Sequence, residues 1–209
     1  MVINGTERLA CKTLVQDVVT DESSTITVEP LRHMPVQRDL MVDQSRFFER
    51  YRSVKPFLVP AEQGSDGEER VTGPGDGDAG AAARDSGDAG AGKPAGGDTA
   101  AAMPVGEILQ SQEERERFDD ATKCILCAAC FSACPVLDEN PDFLGPAAIV
   151  QGARFVFDSR DRGLEPRMAS LNDPDGVWPC ENHFQCTRVC PRGIKVTKLI
   201  NLTKREIKR

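Results

Sequence analysis

The spacing of apolar and polar side chains predicts β structure in the first 60 residues of this 209-residue chain. Asn4-Gly5 stands between apolar flanks, and this dipeptide is the strongest short-range signal for a two-residue hairpin turn. Residues 25–28 alternate between polar and apolar side chains, as a half-buried strand does. Residues 43–52 carry aromatic side chains at helical spacing, which predicts a short amphipathic helix. We expect core packing for these aromatics, which are Phe47, Phe48 and Tyr51.

The second half of the chain follows a helical period. One apolar stripe predicts a helix in a segment rich in Glu and Arg, and a further helix is expected to begin at Pro146, because proline is favoured in the first turn. The last helix is expected over residues 196–208, whose basic end complements the helix dipole. The first stripe consists of Val105, Ile108, Leu109, Phe118 and Ala121; the helix from Pro146 carries Ile149, Val150, Ala153, Phe155 and Phe157.

Between these two parts, residues 61–103 have the composition of a disordered linker. The segment holds nine acidic and three basic residues, so it supplies −6 of the formal net charge of −7. About half of its positions are Gly or Ala, and Val71 and Met103 are its only sizeable apolar side chains. Such a segment buries too little apolar surface to offset the entropy of ordering. An acidic interaction tail is the alternative interpretation of this composition.

Composition also narrows the class of protein. No run approaches the roughly 18 apolar residues of a membrane-spanning helix, and the first residues do not pair a basic region with an apolar one as a secretion signal does. The negative net charge disfavours nucleic acid as a partner. We therefore expect the eight cysteines to be metal ligands or redox groups rather than disulfides, since the cytosol keeps thiols reduced.

Seven of the eight cysteines form two groups, each ending in a Cys-Pro pair. The first group matches the bacterial ferredoxin run, in which the fourth cysteine, followed by proline, ligates the other cluster of a pair. Applied here, that rule assigns the last cysteine of each group to the cluster of the other group. It predicts one cluster held by Cys124, Cys127, Cys130 and the distant Cys190, and a second held by Cys134, Cys180 and Cys186.

The number of ligands predicts the cluster types. Four thiolates suit a 4Fe-4S cluster, and three suit a 3Fe-4S cluster, in which each iron still has a terminal sulfur ligand. Structural zinc sites are the alternative, although they need four ligands each and seven cysteines divide badly into two such sites. His183 would supply an eighth ligand, so a zinc-stabilised binding module stays open as an interpretation.

Beyond the cysteines, short segments along the chain resemble the iron-sulfur subunits of succinate dehydrogenases and fumarate reductases. The resemblance spans nearly the whole chain apart from the linker. Its segments are Ile3-Asn4-Gly5, Leu9-Ala10-Cys11-Lys12-Thr13, Glu29-Pro30-Leu31, Pro35 with Arg38-Asp39-Leu40, Cys124 to Cys130, Gly145-Pro146-Ala147-Ala148, Arg154-Phe155, Asp158-Ser159-Arg160-Asp161, and Cys186 to Gly193.

The resemblance implies an α+β chain: a plant-type 2Fe-2S ferredoxin domain of the β-grasp fold over residues 1–60, and an α-helical ferredoxin domain with 4Fe-4S and 3Fe-4S clusters over residues 104–209. It implies that Cys11 is the last of four 2Fe-2S ligands. The other three would lie upstream of Met1. We therefore expect an N-terminally truncated sequence, with a 2Fe-2S cluster only in a longer chain.

In function, the resemblance implies an electron relay in an oxidoreductase complex. Electrons would pass from an FAD-containing flavoprotein subunit through the clusters to quinone, and the chain would sit on the cytoplasmic face of the cell membrane through membrane-anchor subunits. Family members often carry aromatic residues and a histidine where this sequence has Asp138, Glu139 and Glu181, which leaves the quinone contact open. Candidates for the quinone pocket are Pro135, Trp178 and His183.

One alternative within the oxidoreductases is an iron-sulfur subunit of the glycolate oxidase or heterodisulfide reductase type. Such proteins usually repeat the full four-cysteine run. The second group here has a five-residue gap and one cysteine fewer, so its spacing favours the succinate dehydrogenase and fumarate reductase family.

Overall fold

The N-terminal residues form a small antiparallel sheet around the Asn4-Gly5 turn. The structure, a computed structural model, describes residues 1–19, 25–59 and 108–209. Strands β1 (Val2–Ile3) and β2 (Thr6–Glu7) pair antiparallel, and both turn residues have positive φ, 48° and 76°. Such a turn matches the twist of the flanking strands, and Asn and Gly adopt it at low cost. The predicted hairpin is confirmed.

The strand predicted over residues 25–28 is shorter than expected. Strand β3 consists of Val28–Glu29 and pairs with the free side of β1, giving the order β2-β1-β3. Thr27 instead bonds to the hairpin turn: its N–H donates to the Asn4 side chain at 3.0 Å, and its carbonyl accepts from the Asn4 N–H at 3.0 Å. A second hairpin follows, with β4 (Val36–Arg38) and β5 (Met41–Val42).

The predicted aromatic helix is α1 (Ser45–Ser53). Phe47 is buried and makes edge-to-face contacts with Phe48 and Phe131, whereas Phe48 and Tyr51 are half-buried. Core packing is confirmed fully for Phe47 alone, because the other two rings lie at the margin of the core. Since Phe131 belongs to the second half of the chain, this contact joins the two halves.

The helix predicted from the stripe beginning at Val105 is wrong in extent. Two short helices stand there, α2 (Gln112–Glu116) and α3 (Asp119–Thr122). Ile108 and Leu109 precede them and are exposed, and Val105 lies outside the described residues. A capping box explains the start of α2: Ser111 Oγ accepts from the Glu114 N–H at 3.2 Å, and the Glu114 carboxylate accepts from the Ser111 N–H at 2.8 Å.

The core is centred on α6 (Pro146–Val156), which packs along α9 (Val196–Ile207). Both helices were predicted, and Pro146 does stand at the first helical position. Ile149 and Ala153 of α6 and Ile200 of α9 are all 0% exposed. Each large apolar side chain buried in this way stabilises the fold by about 1.5–3 kcal/mol. Shorter helices complete this half: α4 (Ala129–Ser132), α5 (Val136–Glu139), α7 (Leu164–Leu171) and α8 (Gln185–Arg188).

A buried hydrogen-bonded group also joins the N-terminal sheet to α4. The Ser132 hydroxyl accepts from the Arg32 N–H at 2.9 Å and donates to the Glu7 carboxylate at 3.2 Å. Because Ser132 lies between Cys130 and Cys134, β2 supports the segment that carries both cysteines. The segment predicted to be a linker, residues 61–103, lies outside the described residues. Within the described ranges no helix is long and apolar enough to cross a membrane.

Candidate cluster-binding sites

Four thiols from distant parts of the sequence line one cavity. Cys124 and Cys127 lie in the loop between α3 and α4, Cys130 lies in α4, and Cys190 lies between α8 and α9. The remaining wall is mainly apolar and includes Ile125, Leu126, Ala147, Val150, Ile194 and Val196. These are the four cysteines of the predicted 4Fe-4S site.

The other three C-terminal thiols line a second cavity. Cys134 follows α4, Cys180 precedes α8 and Cys186 lies within α8. The same cavity is lined by Pro135, Phe143, Pro146, His183, Phe184 and Ile200, among others. The structure thus groups the cysteines in the two sets that the crossing rule predicts, while iron binding by these thiols stays a prediction.

Left-handed backbone conformations shape both cysteine loops. Leu126 and Ala128 have φ of 55° and 60°, and Asn182 and Phe184 have φ of 63° and 62°. A left-handed residue that carries a β-carbon lowers the stability of the fold by roughly 1–2 kcal/mol. Alternation of right- and left-handed residues turns successive N–H groups into one concavity, which is a frequent setting for anionic Fe-S centres. The sequence did not indicate these conformations, because no glycine stands at any of the four positions.

Burial raises the pKa of several of these thiols. Desolvation raises the pKa of Cys134 to about 11 and that of Cys130 well above its ordinary value. It also raises the pKa of Cys127 and of Cys186. The N–H groups of Val136 and Leu137 oppose this effect at Cys134, because they donate to its sulfur. Thiolates here therefore need cationic partners, and iron is one that soft sulfur ligands select.

The thiols are spread around cavities rather than gathered at one point. Among residues 1–19, 25–59 and 108–209, no group of three or more His, Cys, Asp or Glu side chains converges closely enough to hold a single metal ion. A cluster of several irons and sulfides needs its ligands at the corners of a larger polyhedron. Four thiols at one cavity and three at the other are a donor set that suits Fe-S clusters.

Two of the three candidate quinone residues lie together. Pro135 and His183 line the second cavity and also an adjoining polar pocket of about 480 Å³. His183 Nε2 lies 3.4 Å from the Glu181 carboxylate. Trp178 makes a different set of contacts: its indole N–H donates to Asn172 Oδ1 at 3.1 Å, and Lys208 Nζ lies 5.4 Å from its ring centroid.

The polar pocket also contains charged and titratable groups that the sequence did not place together. His33 Nδ1 lies 3.8 Å from the Asp138 carboxylate, and both residues line the pocket with Arg32 and Glu7. They come from segments more than 90 residues apart, so no local pattern links them. Their meeting depends on how the N-terminal sheet packs on α4 and α5.

Cys11 lies apart from the seven other cysteines. It is exposed and follows β2, in a turn where the N–H groups of Lys12 and Thr13 both bond to the Leu9 carbonyl. The printed sequence holds no other cysteine before Cys124. Its assignment as a 2Fe-2S ligand stays a prediction.

Two domain families match the chain in the predicted order. Residues 1–49 match a 2Fe-2S iron-sulfur cluster binding domain, and residues 120–194 match a 4Fe-4S dicluster domain. These matches confirm the predicted α+β class, with a ferredoxin-type domain before a dicluster domain.

Curated relatives match over nearly the whole chain. The fumarate reductase iron-sulfur subunit of Haemophilus influenzae is 34% identical over 99% of this chain and 68% of its own length. That of Mycobacterium tuberculosis is 36% identical over 93% of this chain and 62% of its own length. The succinate dehydrogenase iron-sulfur subunit of Coxiella burnetii is 32% identical over 99% of this chain and 70% of its own length.

A solved structure agrees with these relatives. A chain of the Mycobacterium smegmatis Sdh1 complex in the apo form matches with a TM-score of 0.70 and 26% identity, over 99% of this chain and 70% of that one. The resemblance noted from the short sequence segments is thereby confirmed. The chain belongs to the family of iron-sulfur subunits of succinate dehydrogenases and fumarate reductases.

Proposed function

We propose that this chain is the electron relay of a succinate:quinone oxidoreductase, carrying electrons between a flavoprotein subunit and quinone. The observation that supports it most is the pair of cavities lined by four and by three thiols, joined by the short segment from Cys130 to Cys134. A relay needs centres close together in a protein of low dielectric, and both cavities have largely apolar walls. When bound, Fe-S clusters supply the one-electron redox chemistry.

In this proposal the ligand sets are those of the crossed assignment. The 4Fe-4S ligands are Cys124, Cys127, Cys130 and Cys190; the 3Fe-4S ligands are Cys134, Cys180 and Cys186; and Cys11 is one ligand of a 2Fe-2S cluster. The chain itself stabilises the thiolates and excludes water. The Thr197 hydroxyl, 3.5 Å from the Cys186 sulfur, and the N–H groups near Cys134 add hydrogen bonds of the kind that tune cluster potentials.

The proposed partners are an FAD-containing flavoprotein subunit, membrane-anchor subunits and a quinone. The names of the relatives and of the Sdh1 complex support assembly into a complex of this kind. We place quinone near the second cavity, where Pro135 and His183 line an opening toward solvent, with Trp178 as the third candidate contact. The chain would then lie peripherally at the cytoplasmic face of the membrane through its anchor subunits.

Cluster-specific serine variants test this function. In anaerobically prepared full-length chain, Cys190→Ser is expected to abolish or distort the four-iron signal seen after dithionite reduction, and Cys186→Ser the three-iron signal of the oxidised protein. Each change removes a terminal ligand from one site only. Electron paramagnetic resonance with iron, sulfide and zinc analysis measures both.

Cys11→Ser is the matched control, and we expect it to leave both C-terminal signals unchanged. A three-iron signal that survives Cys186→Ser would contradict the crossed assignment. A silent protein with zinc and no acid-labile sulfide would contradict the relay and favour a zinc-stabilised module.

A further inference from the structure

The two cysteine groups repeat one another once a histidine is included. Cys124, Cys127, Cys130 and Cys134-Pro135 follow each other at gaps of two, two and three residues. Cys180, His183, Cys186 and Cys190-Pro191 have the same gaps. His183 therefore occupies the position that corresponds to Cys127.

The backbone repeats with the same register. In each group the residues two and four positions after the first cysteine are left-handed: Leu126 and Ala128 in the first, Asn182 and Phe184 in the second. Their φ values agree within 10°. The second left-handed residue is in each case the N-cap of a four-residue helix, α4 or α8. The loops thus share a conformation, and position 183 is presented to the second site as position 127 is to the first.

The cavities agree with this correspondence. Cys127 lines the first cavity together with the three other thiols of its set, and His183 lines the second cavity together with Cys134, Cys180 and Cys186. The loop that carries His183 is tied to α9, because Asn201 donates to the Asn182 side chain at 2.8 Å. The second site therefore has four candidate ligands at its wall, three sulfurs and one imidazole.

The imidazole also has the neighbour that a metal-binding histidine commonly has. The Glu181 carboxylate lies 3.4 Å from Nε2, and a carboxylate at one ring nitrogen fixes the tautomer that leaves the other nitrogen free to bind a metal. Here that nitrogen is Nδ1. Imidazole suits iron, and histidine replaces cysteine on one iron of Rieske clusters.

We propose that His183 is the fourth ligand of the second cluster, holding a fourth iron at the corner that three thiolates leave open. This inference rests on the proposed function, since it concerns the same cluster. The step is balanced without an added electron: a reduced [3Fe-4S]⁰ core and Fe²⁺ give a [4Fe-4S]²⁺ core. One iron–nitrogen bond to His183 forms, three bonds to core sulfides form, and Fe²⁺ releases water. Starting from the oxidised three-iron core, dithionite supplies the one electron required.

Iron titration of the full-length chain tests this assignment. Oxidised protein that shows a three-iron signal is reduced with dithionite under anaerobic conditions, incubated with Fe²⁺, freed of excess iron and re-oxidised mildly. We expect the three-iron signal of the wild-type protein to fall several-fold, with a gain of one iron per chain. His183→Ala should keep its three-iron signal through the same cycle, and His183→Cys should show a four-iron cluster from the outset. His33→Ala, the only other histidine of the chain, should behave as the wild-type protein does.

A second readout needs no variant. Protein labelled with ¹⁵N-histidine is expected to show a nitrogen hyperfine coupling to the reduced iron-loaded second cluster in pulsed electron paramagnetic resonance. A three-iron signal that is equally insensitive to Fe²⁺ in the wild-type protein and in His183→Ala, with no such coupling, would overturn the inference and leave the relay intact. Absence of any cluster signal in the wild-type protein would instead overturn the proposed function, and this inference with it.

Discussion

Arg167 shows how a charged side chain is held inside this fold. Its side chain is 0% exposed, and it is paired with the equally buried carboxylate of Asp161. Nη2 lies 3.0 Å from Asp161 Oδ1, Nε donates to the Lys55 carbonyl at 3.2 Å, and Nη2 also donates to the Phe57 carbonyl. The guanidinium therefore satisfies groups from both halves of the chain at once.

We expect Arg167→Met to destabilise the chain by about 3–5 kcal/mol, because it leaves the Asp161 charge buried without its partner. The free energy of unfolding, measured by denaturant titration under anaerobic conditions, checks this. Arg115→Met is the matched control: Arg115 pairs with Asp119 at the surface, and exposed pairs of this kind contribute only about 0–1 kcal/mol. An equal decrease in the free energy of unfolding of the two variants would contradict the structural role assigned to Arg167.

At this scale the sequence predicts which cysteines lie together better than it predicts buried contacts. The seven C-terminal cysteines could be sorted into two sets because the ferredoxin run assigns its fourth cysteine to the other cluster, and the cavities have the same grouping. The backbone partners of Arg167 could not be found, since Lys55 and Phe57 lie more than 100 residues away. His183 was singled out, and the gaps between residues already align it with Cys127, but only the backbone conformation shows that the two loops share one shape.

Among the helices, the start of α6 depends on one glycine. Gly145, the N-cap residue, has φ of 88° and ψ of 154°, a region that is essentially restricted to glycine. A β-carbon there would lie 2.8 Å from Phe131 Cδ2. Phe131 packs in the core between Cys130 and Cys134, so the turn before α6 is fitted against the segment that joins the two proposed clusters.

Gly145→Ala is expected to destabilise the chain by about 2–6 kcal/mol, since backbone strain of roughly 1–3 kcal/mol adds to overpacking of roughly 1–3 kcal/mol. Gly5→Ala provides the comparison. Gly5 also has positive φ, but no atom lies within 4 Å of the added β-carbon. Backbone strain alone should then lower the stability by about 1–2 kcal/mol. Thermal unfolding of both variants measures the difference. If Gly145→Ala lost no more stability than Gly5→Ala, the Phe131 ring would have to move aside at little cost.

Elements with strong local signals were predictable, and those set by tertiary contacts were not. The Asn4-Gly5 hairpin, α6 with its first-turn proline and α9 with its basic end all stand where the sequence indicated. The stripe from position 105 failed because Ile108 and Leu109 lie exposed ahead of the capping box at Ser111. The strand near position 27 is short because Thr27 bonds to a turn that is 23 residues away.

Over the whole molecule, the two chain segments that flank residues 60–107 attach to the same loop. On one side, the Val59 N–H donates to Asp161 Oδ1 at 2.8 Å, and the Val59 carbonyl accepts from the Arg162 N–H at 2.8 Å. On the other, the Gln110 side chain donates to Asp158 Oδ1 at 2.9 Å and to Ser159 Oγ at 3.1 Å. The chain segments before and after residues 60–107 are thus each held in place by hydrogen bonds to this loop.

Because of these attachments, we expect residues 62–105 to be replaceable by ten Gly/Ser residues without loss of the fold or of either C-terminal cluster signal. A flexible connection of this length has an r.m.s. span of about 17 Å. Closing a loop that is roughly four-fold shorter costs about 1 kcal/mol less entropy, so the free energy of unfolding should stay equal or rise slightly. Denaturant titration and electron paramagnetic resonance of the shortened chain measure both quantities.

A second variant separates the length of this segment from its chemistry. It keeps all 44 positions between Glu62 and Val105 but replaces their acidic residues with Asn and Gln, so that only the charge changes. If the segment is a spacer, both variants should keep the cluster signals and unfold as the parent chain does. If the shortened chain lost its three-iron signal while the neutralised chain kept it, the segment's length would be required. Loss in both variants would show that its acidic residues serve the fold or a partner, which is the acidic-tail interpretation of its composition.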